Sequence, residues 1–141
     1  MYYTPDIIVL EDTIERVKWL RATFPDVAVR WAKDVPAFLR ELRRPGALLV
    51  LDHDLGDRDY TPAEYDAYGL TGMDAARACG TDTPVVVWSA NPVWGPRMRA
   101  FLVDRGVPVV QYPFRAELNM ALVIQEAYFH ATKTWLRRVH V

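Results

Sequence analysis

The stretch Leu48–Gly56, which reads LLVLDHDLG, decides the fold of this chain. It begins with four apolar residues in a row. Such a run, without polar alternation, is typical of a strand covered on both faces, as in a parallel sheet. The strand leads directly into Asp52, His53 and Asp54. These residues could simply begin a loop, but ionisable groups beside a buried strand end are costly without a purpose, so we predict a functional site there.

Further apolar segments alternate with helical patterns along the chain. Strands are expected at residues 7–10, 27–31, 48–51, 84–87 and 107–110. Helices are expected around residues 13–24, 34–42, 72–79, 97–102 and 115–130, the last with Leu118, Leu122, Gln125 and Phe129 along one stripe. The alternation predicts an α/β fold with a five-stranded parallel sheet and helices on both faces. Right-handed crossovers favour the doubly wound, flavodoxin-like strand order 2-1-3-4-5.

The chain has 141 residues, which predicts a single domain whose core spans about residues 6–130. A tyrosine-rich insertion is expected at 57–70. It should project from the edge of the sheet where the strands end, close to the acidic residues. A helical extension is expected at 131–141, where Trp135 and Leu136 lie beyond the core. Apolar residues there would offer a surface to a partner subunit, so a homodimer is one expectation.

Composition excludes several classes of partner. The net charge is −1, so electrostatic binding to the phosphates of duplex nucleic acid is not expected. The chain also has no polybasic run of the kind that binds membrane surfaces. No apolar run approaches the roughly 20 residues of a spanning helix, and the N-terminus lacks the pattern of a signal peptide. Cys79 is the single cysteine, which excludes an intrachain disulfide and a thiolate zinc cluster. A cytoplasmic location is therefore expected.

A divalent metal site is predicted between the first and third strands. Glu11 and Asp12 follow the first strand, and Asp52 and Asp54 follow the third, which is its neighbour in the expected order. Clustered carboxylates repel one another unless a hard cation binds them. We therefore predict Mg²⁺ or Mn²⁺ on Glu11, Asp12 and Asp52, with Asp54 as a further candidate. Glu11 or Asp12 could instead only cap the following helix.

Other polar side chains near this edge suit chemistry on a phosphate. His53 could be a general acid or base, or a metal ligand, and Asp54 is beside it. Ser89 and Asn91 follow the fourth strand and could donate to phosphate oxygens, and Arg97 could add a cation near a helix start. Each has a structural alternative: a buried histidine, two turn residues and a solvated helix residue.

An acidic pair after strand one, an Asp after strand three and a Ser after strand four resemble the response-regulator receiver domain. The resemblance covers roughly residues 6–130 and implies that the pair and Asp52 hold Mg²⁺ while Asp52 accepts a phosphoryl group. Receivers also end strand five with Lys-Pro. Here Tyr112 and Pro113 take those positions, so the lysine that would contact the phosphoryl group is missing.

A narrower resemblance rests on LDHDLG, on GMD, and on a strand that enters a Ser-x-Asn-Pro turn before a Pro-Arg-Met run. Together these motifs resemble the cyclic-phosphate processing receiver-like family, whose members are predicted to act on cyclic phosphates. The matched residues are Glu11, Asp12, Asp52, His53, Asp54, Ser89, Asn91, Pro92 and 96–98. That family usually has a histidine directly before the serine, and this chain has Trp88.

The main prediction is a metal-dependent phosphoesterase that acts on a small phosphate ester or cyclic nucleotide, with His53, Asp54, Ser89 and Asn91 as catalytic residues. One alternative is a phospho-receiver signalling module with Asp52 as acceptor. Another is a catalytically inactive domain that binds a nucleotide or a protein. The missing lysine argues against the first alternative, and Trp88 keeps the second open.

Overall fold

Five parallel strands form one sheet in the structure, a computed structural model that describes residues 6–55, 71–89, 91–112 and 117–139. The strands are β1 (Ile7–Leu10), β2 (Val29–Ala32), β3 (Leu48–Leu51), β4 (Val85–Trp88) and β5 (Val109–Tyr112). Their order, β2-β1-β3-β4-β5, confirms the predicted doubly wound sheet. Leu10 lies opposite Leu51 in the β1–β3 register, so the residues that follow these two strands meet at one edge.

Helices cover both faces of this sheet. They are α1 (Ile14–Thr23), α2 (Val35–Glu41), α3 (Gly72–Ala78), α4 (Trp94–Asp104) and α5 (Glu117–Thr132). One apolar cluster packs α1 and α5 against Ile7 and Val9 of β1, and the other packs α2, α3 and α4 against Ile8 and Leu10. Because successive strand residues enter opposite clusters, every residue of β1 is buried, which explains its unalternated apolar sequence.

Strand ends differ from the predicted ones by one or two residues. β2, β4 and β5 begin and end later than expected, so Trp88 and Tyr112 are paired strand residues rather than loop residues. The apolar runs of the sequence mark what is buried, and Val27 and Val107 are indeed buried although they precede their strands. Strand ends are set instead by hydrogen bonding to a neighbouring strand, which an apolar pattern does not reveal.

The buried stripe of α5 differs from the predicted one at Leu122. Its buried residues include Met120, Ala121, Ile124 and Tyr128, whereas Leu122 is 43% exposed. α5 is largely apolar around its circumference, so helical periodicity alone permits more than one stripe, and packing against the sheet decides between them.

The chain after α5 is not the helical extension that the sequence suggested. Lys133 has a φ of 61°, which ends the helix, and residues 133–139 contain no further helix. Leu136 is buried in the cluster beneath α1 and α5, and its carbonyl accepts a hydrogen bond of 2.7 Å from Nε2 of Gln125. Trp135 remains exposed. Leu136 therefore completes the core of its own chain, and the homodimer stays a prediction.

Some predictions fall outside the described residues. These include the tyrosine-rich insertion at 57–70, Gly56 and Pro113. Among the helices that the structure describes, none combines the length and apolar character needed to cross a bilayer.

Candidate metal centre

Three carboxylates converge where β1 and β3 end. Glu11, Asp12 and Asp52 each offer one oxygen, and these oxygens all lie within 4.8 Å of one another. Glu11 is 2% exposed and Asp52 is also buried, whereas Asp12 is partly exposed. The structure thus brings together the residues that the sequence predicted as metal ligands, here called the acidic cluster.

The backbone at the acidic cluster is held by the sheet itself. The amide of Asp52 donates to the carbonyl of Leu10 at 3.1 Å, and the amide of Glu11 donates to the carbonyl of Ala32 at 3.1 Å. Hydrogen bonding therefore continues one residue beyond each strand. The sheet therefore fixes the backbone positions from which the side chains of Glu11 and Asp52 project.

A cation that the sequence analysis missed lies against the acidic cluster. Nη1 of Arg16 is 2.7 Å from Oε2 of Glu11 and 3.6 Å from Oδ2 of Asp52. The same nitrogen donates to the carbonyl of Trp88 at 3.1 Å, and the side chain is only 12% exposed. One signal could have found it. Arg16 is in the first turn of α1, where the helix dipole disfavours a cation, so a nearby anion was to be expected.

Burial makes the two inner carboxylates hard to ionise. It raises the pKa of Glu11 to about 8, with repulsion from Asp52 adding to the rise and Arg16 opposing it. Burial also raises the pKa of Asp52 to about 7, against the opposing effects of Arg16 and of the His53 amide. Oxygen ligands that repel one another at a buried strand edge suit a hard divalent cation such as Mg²⁺ or Mn²⁺. The residues present therefore fit the predicted metal.

His53 is next to the acidic cluster in sequence but is turned into the protein. Its side chain is 1% exposed and stacks on Trp94, with ring centroids 4.9 Å apart and planes 5° from parallel. Its Nδ1 lies 2.9 Å from Oδ1 of Asp54, which is half exposed. Burial lowers the pKa of His53, which keeps the ring neutral near pH 7. Among the described residues, the group that could hold a metal does not include it.

Ser89 and Asn91 support the start of α4. Oδ1 of Asn91 accepts hydrogen bonds from the amides of Val93 and Trp94 at 3.0 and 2.9 Å. Its Nδ2 lies 3.3 Å from Oδ1 of Asp54, and Oγ of Ser89 accepts from the Asn91 amide at 3.1 Å. Both residues therefore have the turn role that the sequence left open, and Asn91 also links that turn to Asp54.

Two further residues singled out by the sequence take structural positions. Cζ of Arg97, an exposed residue of α4, lies 5.0 Å from the ring centroid of Trp94. Trp88, where the narrower family usually has a histidine, is buried in the core and packs edge-on against Trp19 with centroids 5.5 Å apart. Arg97 thus touches the aromatic ring that covers His53, while Trp88 fills the space beneath α1.

The GMD motif is explained by a close approach of α3 to the site. A Cβ at Gly72 would lie 2.0 Å from the carbonyl oxygen of Asp52 and 2.6 Å from Cα of His53. The Gly72 amide donates to the His53 carbonyl at 3.0 Å. Thr71 and Asp74 form a capping box that begins α3. The motif therefore supports the backbone that carries Asp52.

Comparison with known proteins gives similarity in structure only. The sequence matches no protein-family profile and no curated protein. The phosphorylated cyanobacterial phytochrome response regulator RcpA has a TM-score of 0.62 and 16% identity, covering 95% of this chain and 99% of its own. A signal receiver domain of an HD domain-containing protein from Pseudomonas fluorescens has a TM-score of 0.64 and 15% identity, covering 94% and 100%.

A third similar structure is the Mn²⁺-bound form of the response regulator Rcp1, with a TM-score of 0.58 and 15% identity over 94% of this chain and 98% of its own. Such low identities show the fold alone. The cyclic-phosphate processing branch finds no support among these structures. The chain has the fold of response-regulator receiver domains.

Proposed function

We propose that this chain is a receiver module in which Asp52 accepts a phosphoryl group while Glu11, Asp12 and Asp52 hold a divalent metal ion. The observation that carries the proposal is the convergence of these carboxylates where two neighbouring strands end. Similar structures that are described as phosphorylated and as Mn²⁺-bound support it. These similarities favour the signalling alternative over the phosphoesterase that the sequence suggested first.

The position of Asp52 suits a nucleophile. Its Oδ1 accepts a hydrogen bond of 2.8 Å from the His53 amide, which fixes the carboxylate, and its Oδ2 faces Arg16. In the proposed step an oxygen of Asp52 forms a bond to phosphorus as the bond from phosphorus to the donor's leaving oxygen breaks. A bound divalent ion would compensate charge on the transferring group. Arg16 is a cation of this chain that already contacts the same carboxylates.

The absence of the receiver lysine bears on the rate of this step. Tyr112 ends β5 opposite Trp88, at the position where receivers have lysine. A missing cation removes charge compensation from the transition state. We therefore expect phosphorylation of Asp52 to be slow unless Arg16 supplies part of that compensation.

A second candidate function is hydrolysis of a small phosphate ester or cyclic nucleotide. The observation that favours it is the hydrogen-bonded series His53–Asp54–Asn91, which begins directly after Asp52. A neutral imidazole paired with a carboxylate is suited to proton transfer. Trp94 covers that imidazole, so a substrate would have to pass beside the indole ring or wait until that ring moves.

One experiment tests both candidates. The full chain and Asp52→Asn are treated with acetyl phosphate and Mg²⁺, and adducts are located by mass spectrometry. A phosphoryl adduct on Asp52 of the wild type, absent from the variant, supports the receiver function. A lack of adduct overturns it. In parallel, 2′,3′-cyclic and 3′,5′-cyclic nucleotides are incubated with the protein and Mg²⁺ or Mn²⁺, and formation of linear product supports hydrolysis.

A further inference from the structure

One nitrogen atom lies where three strands of the sheet end. Nη1 of Arg16 contacts Glu11 after β1 at 2.7 Å, Asp52 after β3 at 3.6 Å, and the carbonyl of Trp88 at the end of β4 at 3.1 Å. These are oxygen ligands converging on one cationic group. A metal ion bound at the same strand ends would need a similar set of converging oxygen atoms.

We propose that Arg16 is an internal counterion that competes with a divalent metal ion for the carboxylates of Glu11 and Asp52. The inference rests on the proposed function, because it presupposes that the acidic cluster binds a metal. It adds that the affinity for the metal is set by a residue of α1 that is not itself a ligand.

The carboxylate oxygens of Glu11 and Asp52 are already in contact with N–H groups. Oε2 of Glu11 accepts from Arg16, and Oε1 accepts from the amide of Thr13 at 3.2 Å. Oδ1 of Asp52 accepts from the amide of His53 at 2.8 Å, and Oδ2 faces Arg16. Each of these four oxygens therefore already has an N–H donor beside it. A metal that binds them must share oxygens with these donors or displace the side chain of Arg16, since the amides of Thr13 and His53 belong to the backbone.

The positive charge of Arg16 also opposes a metal ion at the acidic cluster. Glu11, Asp12 and Asp52 can carry three negative charges within a span of 4.8 Å, and the Arg16 cation cancels part of that field. A divalent ion at the same carboxylates would lie close to the guanidinium. Repulsion between the two cations is strong because water screens charges poorly at a buried site. Arg16 therefore weakens metal binding even where the oxygens can be shared.

Arg16 is also held in place by its surroundings. Besides its hydrogen bonds, its Cζ lies 4.7 Å from the ring centroid of Trp88, and the side chain is largely buried. An arginine held over an indole ring contributes a cation–π attraction in addition to its ion pairs. A metal ion that displaces Arg16 would also change the surroundings of Trp88, which gives the competition an optical signature.

Competition makes Arg16 act in opposite directions in the presence and absence of metal. Without metal, Arg16 stabilises the fold, since removing one partner of a buried ion pair leaves the other charge uncompensated. With metal, Arg16 opposes binding. An ion pair with a purely structural role would give the first effect without the second, so metal affinity is the discriminating measurement.

The test is titration with Mn²⁺ alone, by isothermal calorimetry at one fixed pH and low ionic strength. Arg16→Met removes the charge, and Arg16→Gln is a second neutral variant whose amide can still donate to Glu11. We expect each to bind Mn²⁺ about tenfold more tightly than the wild type. Arg16→Lys keeps a charge and should stay near the wild type.

The matched control is Arg21→Met, which removes the same charge from an exposed position on the same helix. Arg21 donates to the carbonyl of Val29 and should not affect the affinity for Mn²⁺. Tighter binding in both neutral Arg16 variants but not in this control supports the competition. Equal or weaker binding overturns it while leaving the metal site of the proposed function intact.

A lack of Mn²⁺ binding in all variants overturns both the competition and the metal site. The wild-type protein gives an independent measurement that needs no Arg16 variant. Saturating Mn²⁺ should change tryptophan emission, and Trp88→Phe should remove most of that change. Unchanged emission on saturation would overturn displacement of Arg16 from Trp88.

Discussion

The imidazole of His53 and the indole of Trp94 lie face to face, with centroids 4.9 Å apart and planes inclined by only 5°. Trp94 is the first residue of α4, and His53 follows β3. The stack therefore joins the start of a helix to the loop that carries Asp52. It also keeps the imidazole out of water, and burial is the main cause of its lowered pKa.

Trp94→Ala should raise the pKa of His53 toward its ordinary value. The substitution uncovers the ring, and a hydrated imidazole is more easily protonated. The measurement is titration of the His53 ring signals by NMR. Trp135→Ala is the matched control, since that exposed tryptophan stacks on Phe129 instead. If the pKa of His53 is unchanged in Trp94→Ala, the indole ring is not the group that excludes water from His53.

Asp52→Asn should stabilise the metal-free protein at pH 8. Burial raises the pKa of Asp52 from 3.8 to about 7, so the folded state holds a proton that the unfolded state has lost. The stability from this group is present below about pH 3.8 and is lost as the pH rises through about 7. We therefore expect a gain of about 1–3 kcal/mol in the free energy of unfolding at pH 8.

Urea unfolding in the presence of a chelator, at pH 4 and at pH 8, measures that effect. The gain should shrink at the lower pH because Asp52 is then neutral in the folded wild type as well. Asp82→Asn removes an exposed carboxylate and should change little at either pH. A loss of stability in Asp52→Asn at pH 8 would mean that its contact with Arg16 outweighs the cost of its burial.

Mg²⁺ or Mn²⁺ should stabilise the wild type, and that stabilisation should depend on Asp52. A ligand that binds only the folded state raises the melting temperature by mass action. The wild type should therefore gain stability with millimolar metal, and Asp52→Ala should abolish most of that gain. Scanning calorimetry with and without metal measures it. A wild-type melting curve that millimolar metal leaves unchanged would argue against the metal centre.

Gly72→Ala should destabilise the protein by about 2–4 kcal/mol, because small-to-large changes in packed sites force the backbone to move. The new Cβ would meet the backbone of Asp52 and His53, which cannot rotate away as a flexible side chain could. The measurement is urea unfolding. Gly80→Ala is a close control in the same chain, since a Cβ there meets nothing within 4 Å. Equal effects at the two glycines would contradict the close approach of α3.

The sequence predicted the convergence of the carboxylates but not their counterion. β1 and β3 are buried on both faces, so their apolar runs and the carboxylates that follow are visible as a local pattern. For Arg16, four residues after Asp12, the sequence offers only a cation in the first turn of α1, which does not say which anions it meets. Its role depends on the orientation of α1 over the sheet edge, which is a tertiary property. The buried stripe of α5 differs from the predicted one for a similar reason, because packing chose among several apolar faces.

His53→Ala separates the two candidate functions. If the chain is a receiver, the ring of His53 has a structural role through its stack on Trp94 and its contact with Asp54. Its backbone amide, which survives the substitution, holds Asp52. Phosphorylation of Asp52 by acetyl phosphate should then proceed at close to the wild-type rate. If the chain hydrolyses cyclic phosphates with His53 as general acid or base, turnover should fall by about 10²-fold or more.

Both rates are measured on the same preparations, by mass spectrometry for the adduct and chromatography for the linear product. Asn91→Ala serves as a companion variant that keeps the imidazole but removes both the contact to Asp54 and the hydrogen bonds that support the start of α4. If His53→Ala loses the adduct while circular dichroism shows an intact fold, the imidazole ring has more than a structural role. If His53→Ala still forms the adduct and neither protein turns over a cyclic nucleotide, the function is phosphorylation of Asp52. His53 then only supports the structure around Asp52.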